Sequence, residues 1–357
     1  MPEVVELFVV EHAVPYQFLP NNHQSESDFI ETSRALACNH YLHSNPRALM
    51  LDVVVLFFLF GLLAGLVRSE LKLPPALYDT LSLFLLLAIG LKGGIGLAQQ
   101  PLLPLLPQLA LVILLGVVQT LAGFALLRIK MNRVDAAATA AHYGSVSVAT
   151  FAVGVNWLTE RGISFESQLS IFLAVMEIPA ILVGIVLARG VSRQTQWRML
   201  AHETFLGKGV TLLIGGMAIG YLAGPDGVAP LKPLFVDLFK GALALFLLEM
   251  GLIVARQCQD LRKHGFFLLG FALLMPLASA GLGLAAGQLM GLSLGGLTLL
   301  ATLAASASYI AVPATLRIAL PQANPGLSLS AVLGVTFPFN IMLGIPLYHS
   351  WAHHFME

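Results

Sequence analysis

Two short stretches decide how this chain is read: AHYGSVSVAT, from Ala141 to Thr150, and LAASASYIAV, from Leu303 to Val312. Both lie inside apolar segments, and both carry Ser-x-Ser among Gly, Ala and Val. Ser145 and Ser306 are 161 residues apart, and so are Ser147 and Ser308. The same offset lays LLLAIGL (from Leu85) on FLLEMGL (from Phe246), with Leu86, Leu87, Gly90 and Leu91 meeting identical residues. After a small shift, MEIPAILVGI (from Met176) meets VTFPFNIMLGI (from Val335), which brings Pro179 to Pro338 and Gly184 to Gly344. The chain reads as an internal repeat.

Composition sets the medium in which that repeat folds. Of 357 residues, 57% are hydrophobic and 11% charged, against about 25% charged in soluble domains. Apolar runs of about 20 residues cross a bilayer as helices. Gly, Pro and charged clusters divide the sequence into ten expected spans: 48–67, 76–98, 102–127, 135–157, 168–190, 206–224, 231–254, 265–289, 294–316 and 327–349. One repeat is then five spans, an odd number, so the second half enters the membrane from the opposite side. The expected fold is an all-α integral membrane protein of two inverted five-helix repeats, 48–190 and 206–357, joined by a short cytoplasmic linker at 191–205.

Lys and Arg orient the chain. Thirteen of the 19 fall on one side of this topology and five on the other, with Lys240 inside a span. The rich side is cytoplasmic, which puts both termini outside. Residues 1–47 are polar and mixed and read as an extramembrane tail, without the apolar region of a signal peptide. The formal net charge is zero, which argues against a nucleic-acid partner. Cys38 and Cys258 give no disulfide framework. No HExxH zinc motif and no glycine-rich phosphate loop followed by Lys occurs, so neither enzymatic chemistry nor direct use of ATP is expected.

The small polar strings fit a broken membrane helix. A break frees N–H groups at one half-helix and carbonyls at the other. The N–H end attracts anions and the carbonyl end can coordinate a small cation. Gly144, Ser145 and Ser147 in the first string, and Ser306, Ala307 and Ser308 in the second, are the candidate substrate-binding residues. Gly and Ala allow close approach, and Ser offers a hydroxyl to a ligand or to freed backbone. The competing reading is helix packing by small residues. The shared offset favours a site.

Several segments resemble the sodium-dependent bicarbonate transporter family, best known from photosynthetic bacteria. They are IGLKGGIGL, GSVSVATFAV, MEIPAILVGIVLA and the long stretch from Ala304 to Tyr348, in that order. The resemblance covers about residues 48–350. It implies sodium-coupled bicarbonate uptake by alternating access across a bacterial inner membrane, with sodium as coupling ion and no other cofactor. It also implies a core domain with crossed broken helices 4 and 9, a gate domain, and a homotrimer. Carried over, the family's substrate region falls on Ser145, Ser147, Ser306 and Ser308.

Glu177, which lies near Pro179, a residue expected to break the helix, in an apolar span, matches an acidic position of the family and is a candidate for the cation, together with Thr150, Tyr309, Thr336 and Asn340. Tyr309 stands where the family carries an acid, a departure that bears on sodium coupling. The central connection is short, which argues against a PII-type regulator. The alternatives are the same fold carrying another small anion or exchanging cations or protons, and an uncoupled anion channel. Asp237 and Lys240, three apart, are expected to pair on one helical face. His349 and His353, four apart, have helical metal spacing but no evident third ligand.

Overall fold

The computed structural model describes residues 52–101, 103–190, 202, 206–261 and 265–356. The expected tail at 1–47 and nearly all of the linker at 191–205 lie outside them. Within the described residues the fold is all-helical, with no strand. The first half comprises α1 (Val53–Leu66), α2 (Pro75–Leu97), α3 (Leu105–Leu127), α4 (Arg133–Gly144), α5 (Val148–Glu160) and α6 (Leu169–Arg189). The second comprises α7 (Lys208–Val228), α8 (Phe239–Leu261), α9 (Gly265–Leu289), α10 (Leu294–Ala305), α11 (Ala311–Ala319) and α12 (Pro325–Met356). Six of them, α2, α3, α6, α7, α9 and α12, are long and apolar enough to cross a membrane, and α1 and α10 are shorter apolar helices.

The outward surface is apolar. Leu56, Phe60 and Leu63 on α1, Leu114 and Leu121 on α3, and Leu274 on α9 are exposed. A water-soluble chain rarely leaves such large patches uncovered. Lipid tails satisfy them, and the backbone polar groups are bonded within the helices.

Two expected features come out differently. The seventh span, read as 231–254, is the helix Phe239–Leu261. Pro230 and Pro233 hold the chain before it in a 3-10 turn at Ala229–Leu231 and a π turn at Pro233–Asp237. That geometry removes Asp237 from the helical face of Lys240, and Lys240 pairs instead with Glu160. Pro179, read as a helix breaker, sits inside an uninterrupted α6. Membrane helices tolerate an internal proline where neighbouring groups satisfy the freed carbonyl.

The helices pack as two groups. In one, α1 lies along α8 and α2 lies along α7. Both crossings are made by small residues four apart, Gly61 and Gly65 against Gly251 and Ala255, and Gly90 and Gly94 against Gly216 and Gly220. A methyl built at Gly61 would collide with the Leu248 carbonyl, and one at Gly94 with the Met217 carbonyl. This is the close backbone approach that small-xxx-small patterns permit. In the other group, α3, α4 and α6 pack together, as do α9 with α10 and α10 with the end of α12.

The groups touch where α2 and α7 meet α6, and where α8 meets the first turns of α12. Polar side chains also bridge the groups. Asn156 Nδ2 donates to Asp52 Oδ2 at 2.8 Å, Gln100 Nε2 to Ser167 Oγ at 3.1 Å, and Lys240 pairs with Glu160.

Candidate functional site

The helix α4, RVDAAATAAHYG, is capped by Asn132, whose side chain accepts from the Asp135 amide at 2.9 Å. Its small residues pack closely on α3 and α6. It ends at Gly144. Ser145 and Ser147 are extended, and α5 begins at Val148. Ser147 caps that new helix, with Oγ accepting from the Thr150 amide at 3.2 Å. The second string repeats this plan. Ser293 caps α10 through the Gly296 amide, the helix ends at Ala305, and Ser306 is extended. Ser308 Oγ then accepts from the Val312 amide at 3.5 Å, at the start of α11. Both Ser-x-Ser strings are therefore helix breaks. Each turns the first-turn amides of a new helix, which have no carbonyl one turn earlier, toward the break.

The two breaks bond to each other. The Ser147 amide donates to Ser306 Oγ at 2.8 Å, and Ser306 Oγ donates on to the Leu303 carbonyl at 2.7 Å. The Ser308 amide donates to the His142 carbonyl at 2.9 Å, and His142 Nδ1 lies 2.6 Å from the Ser308 carbonyl. All four serines are buried, as is Ala307. Among the described residues, the hydroxyls of Ser145 and Tyr309 are buried without a hydrogen-bond partner. The Tyr309 hydroxyl is directed toward Ser147, and its ring meets Phe337 edge-on at 5.6 Å. No Lys or Arg lies in either string. The chemistry gathered here is neutral donors and helix N-termini, suited to a small anion.

Gly144 is helical rather than specially bent. It is needed for contact, since a methyl there would overlap the Thr120 hydroxyl and the Gly116 carbonyl of α3. Glu177 is 9% exposed. Its carboxylate faces Gly209 at the start of α7, at the seam of the two packing groups. Among the described residues no hydrogen bond or ion pair reaches it. Buried Thr150 stays beside the first break through its amide.

Thr336 and Asn340 are placed differently, in bonded networks. Thr336 accepts from Tyr143 OH at 2.8 Å and donates to the Ala272 carbonyl at 2.7 Å. Asn340 donates to the Ala305 carbonyl at 2.8 Å and accepts from Tyr348 OH at 2.7 Å. It thereby holds the end of α10. Around them α12 widens into π turns at Val332–Thr336 and Asn340–Gly344, a form that recurs at functional sites.

Sequence reasoning missed His142, which lies inside the first string. It also missed Gln119, whose side chain donates to the Ala304 carbonyl at 2.9 Å. These partners are 166 and 185 residues from the groups they hold, and no local pattern encodes them. The sequence was also read as having no Gly-x-Ser-x-Gly, and Gly291–Gly295 corrects this, since it has that form. The serine there is a helix cap held by Glu166 at 3.2 Å, not a nucleophile at a strand-to-helix elbow. His349 donates to Thr298 and lies 5.0 Å from the Trp157 ring. Among the described residues no three His, Cys, Asp or Glu side chains gather as a metal site.

Compared with known proteins, residues 53–353 match the sequence model of the Na+-dependent bicarbonate transporter superfamily. No curated protein matches the chain.

Proposed function

The chain belongs to the Na+-dependent bicarbonate transporter superfamily, and from that premise we propose sodium-coupled bicarbonate uptake by alternating access. It is a multi-pass membrane protein and a transporter, not an enzyme. The observation that carries the proposal is the buried crossing of two broken helices, where the Ser145 and Tyr309 hydroxyls have no partner among the described residues. A bicarbonate ion is small, planar and singly charged. Two half-helix N-termini with serine hydroxyls hold such an anion without a buried arginine.

In this reading α4 with α5 and α10 with α11 are spans 4 and 9 of ten, in two inverted five-helix repeats. Small-residue packing supports the inversion: the α1–α8 crossing is repeated by α7–α2, with the partners exchanged between halves. The group α1, α2, α7 and α8 is the gate, and the rest is the core. Sodium is the second substrate. Glu177, unpaired at the seam of core and gate, supplies a negative charge for it, with Thr150 and Tyr309 near the first break. Thr336 and Asn340 serve the frame of the site. Neutralised by sodium, the bound anion crosses with the core as it moves against the gate.

The test is uptake of labelled bicarbonate into proteoliposomes, with and without an inward sodium gradient, at clamped pH and with carbonic anhydrase inhibited. Saturable, sodium-driven uptake is expected. Saturable uptake indifferent to sodium would remove the coupling role of Glu177. Absence of uptake by folded protein would favour a different small anion, a reading to which the buried Tyr309 hydroxyl lends itself. Competition by nitrate, formate and acetate then identifies it.

A further inference from the structure

The two breaks are built on one plan but close differently. In the second half, the hydroxyl of Ser306 stands between the Ser147 amide and the Leu303 carbonyl. At the offset of the repeat, Leu303 corresponds to His142, Ser306 to Ser145, and Ser147 to Ser308. Symmetry would put the Ser145 hydroxyl between the Ser308 amide and the His142 carbonyl. It is not there. The Ser308 amide reaches the His142 carbonyl directly at 2.9 Å, and the His142 ring closes on the Ser308 carbonyl at 2.6 Å. A carbonyl oxygen only accepts, so Nδ1 carries a proton and donates. Both backbone polar groups of residue 308 are thereby held by one residue of the other half.

We infer that His142 is a positioning residue that frees the Ser145 hydroxyl for the substrate. Leucine at the equivalent place has no ring donor, and there the serine is drawn into the backbone. Histidine takes that role in the first half. Ser145 is left 1% exposed, without a partner among the described residues, which is costly for a buried hydroxyl unless a ligand completes it. The inference rests on reading the crossing as the anion site.

The experiment is a double-mutant cycle on full-length protein in proteoliposomes, reading KM and maximal rate for bicarbonate uptake. The variants are Ser145→Ala, His142→Leu, their combination, and His142→Asn. Removal of one hydrogen bond to a charged ligand raises KM about tenfold or more. Ser145→Ala and His142→Leu are each expected to do so. The combination is expected to be no worse than either alone, because both remove the same hydroxyl. His142→Asn, whose amide can still donate to the Ser308 carbonyl, is expected to recover most of the loss. Multiplying effects in the combination, or loss of maximal rate at unchanged KM with no rescue by Asn, would overturn the assignment.

Thermal-shift titration of the same variants with bicarbonate, nitrate and formate separates this from the function. If the wild type binds one of these anions without transporting bicarbonate, the transport reading fails, and the cycle is completed in the Kd of that anion. If it binds none, the site is misplaced and the inference falls with it.

Discussion

The first break runs through three residues, Ser145 to Ser147, and the second through five, Ser306 to Ile310. The shorter one opens onto α5, in which the ten residues from Ala149 to Leu158 are all buried. The longer one opens onto α11, nine residues with part of its surface exposed. The second break is tied down by side chains: Gln119 and Asn340 hold the carbonyls of Ala304 and Ala305, and Ser306 is bonded on both sides. In the first, Ser147 caps the new helix and His142 is bonded to Ser308, while the Ser145 hydroxyl has no partner among the described residues. On the proposed reading, two copies of one motif divide the work between scaffold and donor. Substitutions at paired positions should separate these roles.

The largest contrast is expected at Gly144 and its partner in the repeat, Ala305. Gly144→Ala places a methyl on the Thr120 hydroxyl and the Gly116 carbonyl, and the Thr120 hydroxyl already bonds that carbonyl at 2.8 Å. Relief requires moving α3 from α4, at about 3 kcal/mol, the upper range for overpacking. Ala305→Gly removes one buried methyl and loosens a helix end, at about 1 kcal/mol. Thermal unfolding in detergent measures both. Equal losses would mean that the halves are packed alike after all.

Next come the side-chain amides that hold α10. Asn340→Ala leaves the Ala305 carbonyl and the Tyr348 hydroxyl unpaired in a fully buried place, an expected cost of about 2–3 kcal/mol. Gln119→Leu loses one bond but also removes an oxygen that has no partner among the described residues. Its expected cost is below about 1 kcal/mol. If Asn340→Ala were instead stable and insensitive to sodium, the residue would belong to the cation site and not to the frame.

Much of this was legible in the sequence. The apolar runs placed the six helices that are long and apolar enough to cross a membrane, because a lipid-facing helix must be apolar along its whole length. The offset between Ser145 and Ser306 placed both breaks, because only small or capping residues suit a helix that stops and restarts in mid-membrane. Other features were hidden. Whether a serine is bonded or free depends on residues more than 150 positions away, such as Ser147 for Ser306. Thr336 and Asn340 were read as possible ligands because buried polar residues in a span suggest a site. The structure bonds them to Tyr143, Ala272, Ala305 and Tyr348, partners that no local pattern names. Pro179 failed to break α6, while Pro230 and Pro233 moved the start of α8, since local propensity does not say which neighbour will satisfy a freed carbonyl.

Between the serines themselves the expected difference in stability is smaller and opposite in meaning. Ser306→Ala strands the buried Ser147 amide and should cost about 1–2 kcal/mol. Ser145→Ala removes a hydroxyl that no described residue uses and should change stability by less than about 0.5 kcal/mol. The functional order is reversed. A donor committed to the backbone can give little to a passing anion, whereas a buried one with no other partner gives most of a charge-assisted bond. Ser145→Ala is therefore expected to unfold at the wild-type temperature yet lose bicarbonate affinity, and Ser306→Ala to unfold earlier with affinity less changed per folded molecule. The measurement is paired: unfolding temperature and KM on the same preparation. If Ser145→Ala lowers the unfolding temperature as well as raising KM, the first break is scaffold like the second, and the division of labour between the two halves does not exist.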